Sequence, residues 1–247
     1  YAHLVDIKRI TELRELRAEG GALRIGGAVT HRELERSPLV RAGWPDFVEM
    51  ERRVANVRVR STGSLGGNLA FADPHSDPAT FLLAAGADLE LGAAGERRTV
   101  ALKDFILGPY ETALAPAELL CAIWLPAMTD GAAMSHLRFA VHERPAATVS
   151  AWVFVSEGRV SAARIAVGSV GVMPVLVPSA VELVGQAATS LDAELLDAVG
   201  RAGAEASEPV TDPNGSDDYK VALVRTLIGR AVIEAARRAA TRTRDAV

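Results

Sequence analysis

Ser61-Thr62-Gly63-Ser64-Leu65-Gly66-Gly67-Asn68, followed by Asp73-Pro74-His75-Ser76-Asp77-Pro78, is the stretch on which the reading of this chain turns. Consecutive glycines let a backbone come close to a ligand and tolerate positive φ. Amide groups in such a turn can form a concavity that holds a phosphate. Thr62 and Ser64 add hydroxyl donors, Asn68 both donates and accepts, and Asp77 can accept from a sugar or ribityl hydroxyl. On this chemistry alone two readings stand, a ligand cradle and an ordinary glycine-rich turn. No Gly-Lys-Ser/Thr follows, so the segment is not a Walker loop. The spacing is also wrong for the Rossmann fingerprint, and a second glycine-rich turn is missing.

Upstream, Thr11–Ala18 reads as a short helix capped by Thr11 and ended by Gly20-Gly21, and Ala22–Gly26 as a strand. Thr30-His31-Arg32-Glu33 is a capping-box pattern. It puts His31 in a first helical turn, where a solvated or capping role is expected rather than a catalytic one. Phe47–Ala55 reads as a helix, and the alternation Val57-Arg58-Val59-Arg60 as a strand leading into the glycines.

Downstream, Ala79–Ala85 reads as a small apolar helix ended by Gly86. Asp88–Leu91 and Arg97–Leu102 read as a hairpin, and Leu119–Leu125 as a strand closed by Pro126. A change of composition over 127–133 marks a domain boundary. Beyond it, Ala151–Ser156 and Val160–Val167 flank Glu157-Gly158-Arg159 as a second hairpin. Helices over Leu191–Glu205 and Tyr219–Thr241 close the chain, with a polar loop over Glu208–Asp218 between them.

The 247 residues suit one large domain or two modest ones. With 49% hydrophobic and 23% charged residues the chain is that of a folded protein. Its formal net charge of −4 gives no basic footprint for nucleic acid. The single cysteine, Cys121, lies in an apolar run and reads as a small buried hydrophobe, consistent with a cytoplasmic location. The longest uncharged run, Ile165 to Val181, is interrupted by Gly168, Gly171, Pro174 and Pro178 and is shorter than the ~20 apolar residues of a spanning helix. It reads as two strands around a turn, so no transmembrane segment is expected. The histidines (His3, His31, His75, His136, His142) lack metal-ligand spacing, and no metal and no catalytic base are assigned. His75, inside the motif, reads as a solvated loop residue. The first residue is Tyr1, and the expectation is of a chain beginning partway through a domain.

The order of motifs adds to this. Leu4-Val5-Asp6-Ile7, Ile25-Gly26-Gly27-Ala28-Val29-Thr30-His31, Gly63 to Asn68, Tyr110-Glu111-Thr112-Ala113-Leu114, Glu118-Leu119-Leu120 and Asp218-Tyr219-Lys220 follow one another along the chain. Together they resemble the medium, FAD-binding subunit of the xanthine dehydrogenase and aerobic carbon monoxide dehydrogenase (molybdenum hydroxylase) family. The resemblance covers nearly the whole chain.

It implies an α+β fold. A FAD-binding domain of the PCMH, or vanillyl-alcohol-oxidase, type would occupy 1–127, lacking its first part. A smaller α+β C-terminal domain, of the carbon monoxide dehydrogenase flavoprotein type, would occupy 134–242. It also implies an oxidoreductase subunit that passes electrons through FAD from a partner's iron–sulfur clusters to an external acceptor. The partners implied are an iron–sulfur small subunit and a molybdenum-cofactor large subunit, in a heterotrimer that is often doubled. A non-flavin scaffold subunit of such a complex is the alternative.

By resemblance, Ser64, Gly66, Gly67 and Asn68 would hold the pyrophosphate and ribityl region, with Thr62, Leu65 and Asp73 in the same set. Ser76 and Asp77 would meet ribityl or ribose hydroxyls, Leu119 and Leu120 would flank the adenine end, and Arg138 would be the basic residue near the flavin. Tyr110 would be the aromatic of the family's Gly-Tyr-Arg segment, although Pro109 and Glu111 stand here for its glycine and arginine. Bland readings remain beside these: core residues for Leu119 and Leu120, a packed loop aromatic for Tyr110, a helix start for Asp77 and a solvated charge for Arg138. Two departures stand out. The family's earlier glycine-rich loop is not in the sequence, and Glu143-Arg144-Pro145-Ala146-Ala147 replaces an Arg-rich segment.

Overall fold

The computed structural model describes residues 3–141 and 143–245; Tyr1 and His142 lie outside them. Two antiparallel sheets, each with its own helices, make up the α+β architecture. The first sheet has the order β1-β2-β7-β3-β4, from β1 (Leu16–Glu19), β2 (Ala22–Gly26), β3 (Asp88–Ala93), β4 (Glu96–Ala101) and β7 (Leu119–Leu125). Its helices are α1 (His31–Arg36), α2 (Pro38–Gly43), α3 (Pro45–Glu51), α4 (Val57–Thr62), α5 (Leu65–Phe71) and α6 (Asp77–Ala85). A two-stranded ribbon, β5 (Ile106–Gly108) with β6 (Glu111–Thr112), precedes β7. The second sheet has the order β11-β10-β9-β8, from β8 (Ala132–Phe139), β9 (Ala147–Ser156), β10 (Arg159–Gly168) and β11 (Val175–Leu176). It carries α7 (Ala193–Ala206) and α8 (Asp217–Asp245).

Turn chemistry explains the hairpins. Gly95 (φ 85°) closes β3–β4, and Glu157 (φ 51°) with Gly158 (φ 74°) closes β9–β10, both centres left-handed as a tight hairpin demands. Leu89 and Leu91 turn inward from β3 and join Leu23, Ile25, Ile123, Phe47 and Phe81 in one core. The other core sets Val149, Val153 and Val155 of β9 against Val224, Ile228 and Val232 of α8.

Helix α6 joins the two halves. All nine of its residues are buried, Asp77 and Thr80 among them, as in a helix with no solvent-facing polar side. Thr80 reaches β10 where Gly168 has no side chain; a Cβ there would stand 2.1 Å from Thr80 Oγ1. At the other end Arg164 of β10 donates to the last carbonyls, Ala84 O and Ala85 O, at 2.9 Å each and lies 4.3 Å from the Trp152 ring centre. Burial lowers the guanidinium's pKa from its ordinary value.

Several expected elements are corrected. Val57–Arg60 is the start of α4, not a strand. The Asn56 side chain accepts from the amides of Arg58 and Val59 and so begins a helix, which overrides the β-branched alternation. Val57 and Val59 stay exposed. The helix expected over Thr11–Ala18 is a 3₁₀ turn at Thr11–Arg14, because Leu16–Glu19 pairs with β2 across Gly20-Gly21. β9 begins at Ala147, four residues before the apolar pattern. Thr148 and Ser150 hide that start, since both are polar and both fully buried. The strand pair expected in Ile165 to Val181 forms between β10 and β11, and Cys121 is buried. None of the described helices is long and apolar enough to cross a membrane.

Candidate functional site

Ser64 opens α5. Its hydroxyl accepts from Gly67 N at 3.1 Å, and its carbonyl accepts from Asn68 N. Gly66 and Gly67 therefore lie in a first helical turn with ordinary φ, so the tolerance of glycine for positive φ is not used here. Their lack of a side chain serves close approach instead. A Cβ on Gly66 would stand 2.5 Å from Gly27 O, and one on Gly27 would stand 2.1 Å from Leu120 O. Leu65 N donates to Val29 O, His31 N to Gly63 O, and Gly27 N to Cys121 O, so three segments meet at the start of α5. Gly67, by contrast, is exposed, and only Ser64 Oγ lies near its would-be Cβ, at 3.0 Å.

Below Gly63, His31 is buried rather than solvated. Its Nδ1 lies 2.8 Å from Glu51 Oε2, and Glu51 is fully buried with Oε1 unpaired. The pair supports the turn that leads into α5.

The second half of the motif folds back on the first. Ser76 caps α6 by accepting from Ala79 N at 3.1 Å and donates to Asn68 Oδ1 at 2.5 Å. Asp73 accepts from His75 N at 3.0 Å and from Arg144 at 2.9 Å, so both its oxygens anchor the loop. His75 is half-buried, its Nδ1 held 2.9 Å from Pro145 O, which corrects the solvated reading. Asp77, buried at the first position of α6, meets His136 Nε2 at 3.1 Å and Arg138 Nε at 3.6 Å.

Of the sequence-derived set, Ser64, Leu65, Gly66, Gly67, Asn68, Asp73, Ser76 and Asp77 come together around α5 and the start of α6. Leu119 is exposed and Leu120 buried, the latter against Gly27. Tyr110 is 55% exposed in a left-handed conformation (φ 60°) and packs on Phe71 with ring centres 5.0 Å apart, at the far end of α5. Thr62 is exposed on α4 and donates to Arg58 O. Arg138 is not a solvated charge: it donates to Arg53 O at 2.7 Å and Glu143 O at 2.6 Å, while its Nε is buried without a hydrogen bond.

Sequence reasoning missed His136, Ser150 and Phe71. The available signal was period two: His136 and Arg138 share one face of β8, and that face meets Asp77.

The residues present fit a flavin dinucleotide. The open face of Gly67 adjoins Asn68, whose Oδ1 is held by Ser76 while its Nδ2 has no partner among the described residues. Asp77 Oδ2 likewise has none.

Both parts of the chain have counterparts among known proteins. A family model described as the FAD binding domain in molybdopterin dehydrogenase matches residues 1–128, and one described as the CO dehydrogenase flavoprotein C-terminal domain matches residues 132–235. The chain is 30% identical over 235 residues to the nicotine 6-hydroxylase medium subunit of Paenarthrobacter nicotinovorans, covering 95% of this chain and 82% of that one. It is 31% identical to the carbon monoxide dehydrogenase medium chain of Hydrogenophaga pseudoflava, covering 93% and 80%. The fold matches a solved carbon monoxide dehydrogenase of Hydrogenophaga pseudoflava with a TM-score of 0.90 at 32% identity, covering 96% of this chain and 82% of that one. It matches quinoline 2-oxidoreductase of Pseudomonas putida 86 with a TM-score of 0.87 at 28% identity, covering 95% and 81%. With both halves matched, this chain belongs to the FAD-binding medium-subunit family of the molybdopterin dehydrogenases.

Proposed function

We propose that the chain is the electron-transfer subunit of a molybdenum hydroxylase complex, relaying electrons from an iron–sulfur subunit to an external acceptor. The observation that carries this reading is the first turn of α5, packed against Gly27 on one side and open at Gly67 on the other. Bound FAD would supply the one- and two-electron chemistry that side chains lack. The protein's part is to bind, orient and exclude water.

In this reading Ser64, Leu65, Gly66, Gly67 and Asn68 hold the pyrophosphate and ribityl region, with Thr62 beside them. Ser76 and Asp77 accept from ribityl or ribose hydroxyls, and Asp73 keeps their loop in place through Arg144 and the His75 amide. Leu119 and Leu120 flank the adenine, Tyr110 covers the flavin ring from its strained loop, and Arg138 supplies positive charge nearby. The flavin-binding part spans 1–127 and the C-terminal part 134–242. Partners are an iron–sulfur small subunit and a molybdenum-cofactor large subunit, in a dimer of heterotrimers in the cytoplasm. The relatives' designations as medium subunit and medium chain support a multi-subunit setting.

The test is the visible spectrum of the native complex, with chromatography of the cofactor released on denaturation. One FAD per chain supports the proposal. A colourless complex that takes up no added FAD overturns it and leaves a scaffold subunit.

A further inference from the structure

Helix α6 delivers Asp77 from the first half of the chain, but its neighbours come from the second. His136 on β8 and Ser150 on β9 are direct cross-strand partners. Their register sets His136 Nδ1 2.8 Å from Ser150 Oγ and leaves Nε2 facing Asp77 Oδ1 at 3.1 Å. The Phe81 ring packs edge-on to the imidazole, with centres 6.3 Å apart, and limits its rotation.

An ionised carboxylate only accepts, so the hydrogen belongs on Nε2, and in the neutral ring Nδ1 accepts from the Ser150 hydroxyl. The order Ser150, His136, Asp77 has the residue types of a hydrolytic triad. Ser150 is fully buried within the sheet, however, so no substrate can reach it. The chain of bonds can hold a geometry but cannot attack a substrate.

We infer that His136 is a positioning residue for Asp77: by donating to Oδ1 it fixes the carboxylate plane and so presents Oδ2 to a cofactor hydroxyl. The inference rests on the reading of Asp77 as a cofactor-binding residue. Arg138 does not do this alone. Its Nε stands 3.6 Å from Oδ1, beyond hydrogen-bond distance, and its other nitrogens are committed to Arg53 O and Glu143 O. Without His136 the carboxylate is free to turn toward Arg138, which withdraws Oδ2. The C-terminal half of the chain thereby sets the shape of a site whose ligand-facing groups lie in the N-terminal half.

The test uses the assembled complex stripped of flavin and titrated with FAD by fluorescence quenching, with the reduction potential of the bound flavin as a second readout. His136→Leu is expected to weaken FAD binding about 10-fold, in keeping with the loss of one hydrogen bond to a charged group. His136→Gln, whose amide nitrogen can replace Nε2, is expected to recover most of that loss. In an Asp77→Asn background, His136→Leu is expected to add little, and the potential is expected to shift together with affinity. Ser150→Ala loosens the ring without removing it and is expected to weaken binding about 3-fold. It carries the test if the leucine variant does not assemble.

Unchanged affinity in both His136→Leu and Ser150→Ala overturns the inference, as do equal losses in the leucine and glutamine variants. Full additivity with Asp77→Asn also overturns it. A wild-type complex that takes up no FAD overturns the flavin reading beneath it, and is distinguished from these outcomes because no variant is involved.

Discussion

Gly66 packs on Gly27 so closely that a side-chain carbon on Gly66 would stand 2.5 Å from the Gly27 carbonyl oxygen and 2.7 Å from its Cα. Both neighbours are backbone atoms, tied in turn to β7 through Gly27 N and Cys121 O. Neither can yield as a side chain would.

Gly66→Ala is therefore expected to destabilise the chain by about 2–3 kcal/mol through overpacking. The better helix propensity of alanine, worth at most about 1 kcal/mol, offsets only part of this. Gly67→Ala meets only the Ser64 hydroxyl, so its thermal midpoint should stay within a few degrees of wild type while FAD binding falls. Thermal unfolding and flavin content of the two variants check this. Equal damage to the fold in both would assign both glycines to packing.

Asp46 should be the most sensitive carboxylate between the two halves. It is buried and accepts from Met134 N at 2.9 Å, from Arg238 at 3.2 Å, and from Arg242 at 2.8 and 2.9 Å. Asp46→Ala leaves the buried Met134 amide without its acceptor and takes the carboxylate from Arg242, while Arg238 keeps Glu49 and Glu234. The substitution is expected to cost about 2 kcal/mol. Chemical denaturation should register this as a lower midpoint.

His31→Ala should unfold the chain more readily than its helix-terminal position suggests. It leaves the Glu51 carboxylate fully buried without the partner that Oε2 now has. The expected loss is about 3 kcal/mol, read by the same denaturation experiment. His31→Ala combined with Glu51→Gln should recover part of it, because the buried charge is then gone.

Glu118, just before β7, takes a bidentate hydrogen bond from Arg98 at 2.6 and 2.7 Å and another from Ala115 N at 2.8 Å. The Arg98 bond first, then the Ala115 amide, lower its carboxyl from an ordinary 4.5 to about 2. A carboxyl pKa depressed by folding adds stability above the unfolded value, and that stability is lost as pH falls through the folded one. The contribution of Glu118 should therefore be complete above 4.5 and disappear on the way down to about 2. Carboxyl NMR titration should find the low midpoint, and Arg98→Met should move it back toward 4.5. A wild-type midpoint near 4.5 would sink the assignment.

The sequence by itself determined what short-range chemistry controls. Thr30 and Glu33 form the capping box in full, Gly95 and Gly158 turn their hairpins, and the apolar run after Asp77-Pro78 becomes α6. The order of the glycine, Asp-Pro and terminal motifs pointed to the family before any contact was known. Where a local cue was overridden, a nearby competitor won. Asn56 turned Val57–Arg60 into a helix, and pairing with β2 turned Leu16–Glu19 into a strand.

Only the tertiary structure decided what Gly66 packs against and which way Asp77 is held. Gly27 lies 39 residues before Gly66 in the chain, and His136 lies 59 residues beyond Asp77. Period two places His136 and Arg138 on one face of a strand, but it does not say which helix that face will meet. That was settled by α6, which is buried along its whole length between both halves of the molecule and carries Asp77 with it.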